Sequence, residues 1–217
     1  MSDYATLRTT MVDTQVRPSD VTRYTIIAAM LSVPREAYVP AARRDAAYVG
    51  ENLALAPARV VLEPRTIAKL LDGLDVQPDE LVLDIGCGLG YSTALLARMA
   101  EAVVAVEEDE AMAAEAQRTL SGEGVDNAAV VTGPLAAGSK RHGPFDVITV
   151  QGGVEAVPAA LLDQLKEGGR IGAIFMTGGL GVARVGYKID GAISWRDLFN
   201  AAAPVLPGFG AARGFAL

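Results

Sequence analysis

Apolar positions along this chain follow two rhythms. Leu81-Val82-Leu83, Ala102-Val103-Val104-Ala105-Val106, Asn127 to Val131, Phe145-Asp146-Val147-Ile148-Thr149-Val150 and Ile171 to Met176 are short apolar runs, the pattern of strands covered on both faces. Between them the period lengthens to that of a helix. Ile67, Leu70, Leu71 and Leu74 follow Pro64, which suits a first helical turn. Ala94, Leu95, Leu96 and Met99 make a second such face. The stretch from Glu110 to Leu120 is closed by Ser121-Gly122 and Gly124, and Val157 to Leu165 reads as a helix beginning at Pro158. Strands alternating with helices predict an α/β fold with a doubly wound, mostly parallel sheet.

The two ends depart from that alternation. Leu7, Met11 and Val12 recur at helical spacing until Pro18, after which Ser19 or Asp20 is expected to cap a second helix carrying Val21, Tyr24, Ile27, Ala28 and Leu31. Val33 to Pro40 is a short apolar hook between two prolines. At the other end, Val182 to Ile189 and Ile193 to Asn200 flank Asp190-Gly191, a C-terminal antiparallel hairpin. The segment Pro204 to Phe209 reads as rigid, extended packing. The expected organisation is one domain: residues 1–57 form an N-terminal helical extension and residues 58–217 a Rossmann-like core.

Composition narrows the chemistry. Nineteen basic against 26 acidic residues give a net charge of −7, with no basic cluster to follow a phosphate backbone, so no nucleic-acid partner is expected. The one cysteine, Cys87, excludes a disulfide framework, and one histidine, His142, gives no support to a zinc site or a histidine-centred triad. The start does not resemble a signal peptide and no apolar run reaches membrane-spanning length, so a cytoplasmic protein without a membrane partner is expected.

The chemistry-bearing stretch is Leu81 to Met99. Its apolar run ends on Asp84, and Gly86, Gly88 and Gly90 follow before the helix. Glycines there permit backbone conformations closed to other residues and leave room for a ligand. The helix behind them aims free N–H groups at the turn. Tyr91 stands where the dinucleotide fingerprint needs its last glycine, which argues against a nicotinamide enzyme. The next strand ends on Glu107, where an acid can accept from a ribose diol.

Asp84 to Gly90 together with Glu107 resemble motif I and the ribose-binding acid of class I S-adenosylmethionine (SAM) methyltransferases. The resemblance implies that fold and SAM as cofactor, with S-adenosyl-L-homocysteine as product. It implies Asp84, Gly86, Cys87, Gly88, Gly90 and Glu107 as the cofactor-binding positions. Glu107 would hold the ribose, and Asp84 would orient the loop or meet the cofactor's ammonium through water. Cys87 is a small filler there and not a nucleophile.

More specific phrases precede the loop. Met11-Val12-Asp13-Thr14-Gln15-Val16-Arg17, Ala29-Met30, Val33-Pro34-Arg35, Tyr38-Val39-Pro40, Arg44, Ala47 and Tyr48 are similar to the opening of protein-L-isoaspartate O-methyltransferases. That resemblance covers most of residues 8 to 176 and implies a protein repair enzyme whose partner is a protein or peptide bearing isoaspartyl residues. The family's G-Q-T-I-S-x-P, however, matches Ala58-Arg59-Val60-Val61-Leu62-Glu63-Pro64, with Val60 and Leu62 in place of the acceptor threonine and serine. Leucine cannot donate to a carboxylate, so no catalytic residue is carried over. Arg59 and Arg65 flank the stretch and could hold an anion or simply be solvated. The family's G-D-G becomes Thr132-Gly133-Pro134, and Pro134 offers no acceptor for the adenine amino group. Phe145 to Val150 and Lys166-Glu167-Gly168-Gly169-Arg170 match the family's later phrases, and the tip Gln151-Gly152-Gly153 is expected to border the site. The alternative implied by the departures is a SAM-binding member with lost or altered acceptor specificity, acting in regulation or interaction. Oligomeric state is not indicated.

Overall fold

The computed structural model describes residues 3–211. Its centre is a seven-stranded sheet: β3 (Leu81–Ile85), β4 (Ala102–Glu107), β5 (Ala128–Thr132), β6 (Phe145–Val154), β7 (Leu165–Thr177), β8 (Leu180–Ile189) and β9 (Ala192–Asn200), in the spatial order β5-β4-β3-β6-β7-β8-β9. The first five are parallel, and β8 and β9 run antiparallel as a meander. Leu83 sits between Val104 and Ile148, so the loop after β3 opens where the strand order reverses, the place such sheets bind ligands.

Period-two alternation divides the sheet's side chains between two cores. Val82, Val103 and Val147 face a core shared with α1 (Tyr4–Met11), α2 (Tyr24–Ser32), α3 (Pro64–Leu74) and α4 (Tyr91–Ala97). Leu83, Ile85, Val104, Val106, Ile148 and Val150 face the other, closed by Leu135, Leu161, Leu206 and Phe209. α5 (Glu110–Gly122) follows β4, with Asp109 capping it through Met112 N. Two short strands, β1 (Leu53–Ala56) and β2 (Arg59–Val61), form a separate antiparallel hairpin.

Some boundaries differ from those read in the sequence. The second helix starts at Tyr24 without a side-chain cap. Ser19 is unavailable because its hydroxyl bonds back to Gln15 O at 2.8 Å, and Asp20 lies in the left-handed region (φ 66°), ending the preceding turn. The helix expected from Val157 to Leu165 shrinks to α6 (Ala159–Leu162). Its continuation is taken by the sheet: Phe145 N donates to Gln164 O at 2.8 Å and Leu165 already pairs with Phe145. The tip Gln151-Gly152-Gly153 continues β6 through a register shift and bridges Val205. Among the described residues no helix is long and apolar enough to cross a membrane.

Candidate functional site

The floor of the site is the turn from β3 into α4. Gly86, Gly88 and Gly90 have φ of 77°, 57° and 98°, all in the region that L side chains avoid. Gly86 N donates to Val106 O at 2.8 Å and Gly90 N to Cys87 O at 2.9 Å, so the loop is tied to β4 and to itself. Asp84, fully buried, accepts from Ser92 Oγ and Thr93 Oγ1 on one oxygen, both at 2.7 Å, and from Gln151 Nε2 at 2.8 Å on the other. Burial pushes its carboxyl above the ordinary value, and the three hydrogen bonds oppose that shift. Asp84 thus fastens the helix start and the tip of β6 to the strand before the loop. Gln151 is the residue that sequence reasoning left without a role. Its strand-tip position was the signal, since it sets a polar side chain beside the buried aspartate.

Cys87 is buried, and burial raises its thiol well above the usual range, an environment for a filler and not a thiolate. Glu107 is also fully buried. Its Oε2 accepts from Gly88 N at 2.8 Å and pairs with Arg59 Nη2, and its Oε1 accepts from Glu108 N at 3.0 Å and Asp109 N at 3.2 Å. Four donors use the full accepting capacity of a carboxylate. Beside it a cleft of about 340 Å³ is lined by Ala56, Pro57, Arg59, Glu107, Glu108, Asp109 and Met112.

The roof is the β1–β2 hairpin and the C-terminal segment. A methyl group placed on Gly86 would lie 2.8 Å from Arg59 Nη1 and 3.3 Å from Leu206 Cδ1, and one on Gly88 would lie 2.6 Å from Leu55 Cδ1. These three side chains rest directly on the glycine loop. Leu206 also covers Gly152, so the segment read as packing does pack, against the site itself. Asn52 staples the two parts of the roof, accepting from Glu63 N at 2.8 Å and donating to Ala202 O at 2.9 Å.

The two arginines separate. Arg59 points inward, 3% exposed, with Nε and Nη1 buried and unpaired. Arg65 is half-buried, 3.9 Å from Glu63 and stacked over the Phe199 ring, away from the loop. Val60 and Leu62 line a gap of only about 10 Å³ with Val61, Ile67, Cys87, Tyr91, Ser92 and Gln151. Buried Arg35 holds the Leu62 carbonyl at 2.8 Å and lies 4.6 Å over the Tyr91 ring, fixing the stretch around Leu62 against the start of α4. Gly133 N bonds to Glu107 O at 3.0 Å, and Pro134 adds no donor or side-chain acceptor there.

Comparison with known proteins agrees with this geometry. Residues 8–177 match the family model described as protein-L-isoaspartate(D-aspartate) O-methyltransferase. A protein-L-isoaspartate O-methyltransferase of Syntrophus aciditrophicus is 38% identical over 171 residues, covering 79% of this chain and 78% of that one. One of Koribacter versatilis is 34% identical over the same length, covering 79% and 77%. Among solved structures, a protein-L-isoaspartate O-methyltransferase superposes with a TM-score of 0.80 at 24% identity, over 94% of this chain and 66% of the other. A Plasmodium falciparum protein described as a β-aspartate methyltransferase, solved with S-adenosyl-L-homocysteine, gives 0.79 at 19% identity over 95% and 99%. At those identities the two structures speak for the fold.

Proposed function

Because this chain belongs to the protein-L-isoaspartate(D-aspartate) O-methyltransferase family, we propose that it is a SAM-dependent carboxyl methyltransferase that esterifies isoaspartyl carboxylates of damaged proteins. The observation that carries this reading at the site is the join between loop and strand. Three positive-φ glycines lie over the start of a helix, beside a buried glutamate at the end of the neighbouring strand. Those residues fit the cofactor: Gly86 and Gly88 put no side chain toward the roof, Gly90 lets the turn pack on Leu120 and Ala116, Glu107 has the acceptor chemistry a ribose diol needs, and the cleft beside Glu107 has room for a nucleoside. When bound, SAM supplies an electrophilic methyl group, and an isoaspartyl carboxylate is already ionised at neutral pH.

The protein's contribution is then positional. Asp84 holds Ser92, Thr93 and Gln151 and so keeps loop, helix and β6 tip in register. Cys87 fills the loop without offering a thiolate. The reading takes residues 1–57 as an N-terminal extension of one methyltransferase domain, helical except for β1, which pairs across the boundary with β2, 58–217 as its core, and the cytoplasm as its location, with proteins or peptides as substrate. Transfer of label from SAM to an isoaspartyl peptide as a base-labile ester tests it. Background transfer beside an active control enzyme would overturn it.

A second reading has its own observation. Val60 and Leu62 turn apolar carbon toward the gap beside Cys87 and Gln151, where a carboxylate acceptor needs donors. A member that binds the cofactor with altered acceptor specificity would bind S-adenosyl-L-homocysteine and leave isoaspartyl peptides unmethylated.

A further inference from the structure

The ion pair between Arg59 and Glu107 spans the roof and floor of the cleft, and no feature of the proposed reaction uses it. It has three properties. Glu107 has no accepting position left, since Gly88, Glu108 and Asp109 N–H groups and the Arg59 guanidinium occupy all four. The guanidinium lies against Gly86, in the space that the glycine vacates for a ligand. Two of its own donors, Nε and Nη1, are buried and unpaired, so the closed arrangement leaves polar groups unsatisfied that a buried cation ordinarily fills.

The geometry points to Arg59 as the residue that governs entry of the nucleoside: it holds the β1–β2 hairpin shut by taking the acceptor position on Glu107 that a ribose hydroxyl requires. A nucleoside ligand and Arg59 therefore compete for one carboxylate oxygen, and the ligand enters as Arg59 leaves. The backbone donors of Gly88, Glu108 and Asp109 stay on Glu107 throughout, so the carboxylate is never stripped of partners. The unpaired Nε and Nη1 favour this exchange, because the guanidinium regains water or a new acceptor on release. Leu55, on the same hairpin and seated on Gly88, moves with it. This inference rests on the proposal that Glu107 holds the ribose of SAM.

The test is calorimetric titration of S-adenosyl-L-homocysteine into the full-length protein and Arg59→Gln. Removing a buried cation next to a ligand site ordinarily weakens binding of a ligand that carries a carboxylate. Here Arg59→Gln should tighten it by about tenfold. Leu55→Ala, which thins the roof without touching Glu107, should tighten it by a smaller factor and serves if Arg59→Gln folds poorly. Binding to wild type that is unchanged or weakened in both variants would overturn the competition while leaving the cofactor assignment standing. Binding by Arg59→Gln alone would be its strongest support. No binding by wild type or either variant, with circular dichroism reporting folded protein, would overturn both the competition and the cofactor reading.

Discussion

On the floor of the cleft the carboxylates are fully engaged: Asp84 has Ser92, Thr93 and Gln151, and Glu107 has three backbone N–H groups besides Arg59. On the roof the corresponding accounts are open. Arg59 buries two unpaired donors, Ala58 sits at φ 57° without being glycine, and Val60 and Leu62 bring carbon where the family brings hydroxyls. The floor is a cradle whose geometry is fixed by its own hydrogen bonds. The roof is where this chain departs from the motif its sequence resembles, and on the proposals above it would set access and acceptor chemistry. A satisfied network resists change because any substitution orphans a partner.

That contrast can be broken most severely at Asp84. Asp84→Ala removes the acceptor shared by three buried donors, of which Gln151 Nε2 alone keeps another, Thr149 Oγ1 at 3.2 Å, and should cost about 3 kcal/mol of stability, read from the urea midpoint. A finer test uses pH. Burial raises the carboxyl above the usual 3.8, so the folded protein takes up this proton at a higher pH than the unfolded chain does. The stability contributed by Asp84 therefore rises as pH falls from its folded value toward 3.8. Asp84→Asn lacks that titration, and lowering the pH should shift the balance toward wild type in paired denaturation curves.

Glu107→Ala comes next. It removes the acceptor proposed for the ribose and should weaken S-adenosyl-L-homocysteine binding by about tenfold or more, some 1.4 kcal/mol, in calorimetry. Equal binding by wild type and variant would remove the ribose assignment. On the roof, Leu62→Ser should leave cofactor affinity within about twofold while costing at least about 2 kcal/mol of stability, because a 1%-exposed leucine is lost. If the roof sets acceptor chemistry, the same variant should raise ester formation on an isoaspartyl peptide. The smallest effect belongs to Ala58→Gly, which relieves the left-handed backbone of the hairpin turn. The strain it removes outweighs the added freedom of the unfolded chain, for a gain of about 0.5 kcal/mol in thermal unfolding.

The five parallel strands and the cradle were legible because their signals are local. An unbroken apolar run, a G-x-G-x-G turn and an acid at the next strand's tip need nothing from elsewhere in the chain. The roof was less legible because its contacts are distant: Arg59 meets Glu107 48 residues on, and Asn52 reaches Ala202 across 150. From sequence, Arg59 and Arg65 are equivalent flanking cations. Only the hairpin decides that one is buried against the loop and the other stacks on Phe199. The same limit applies to the cap expected of Ser19 or Asp20. Such residues bond to several nearby backbone groups, and Ser19 chose the carbonyl behind it. The shortened α6 has a tertiary cause too, since pairing of Leu165 with Phe145 competes with another helical turn.

Leu206 has a consequence for how the protein is made. It covers Gly86 and Gly152, yet it leaves the ribosome 120 residues after Gly86. At 5–20 residues per second the loop waits about 6–24 s for that part of its cover. During synthesis the glycine cradle is therefore open on the side Leu206 later seals, and a nascent chain stalled before Pro204 should expose that side to solvent while its parallel strands are already translated.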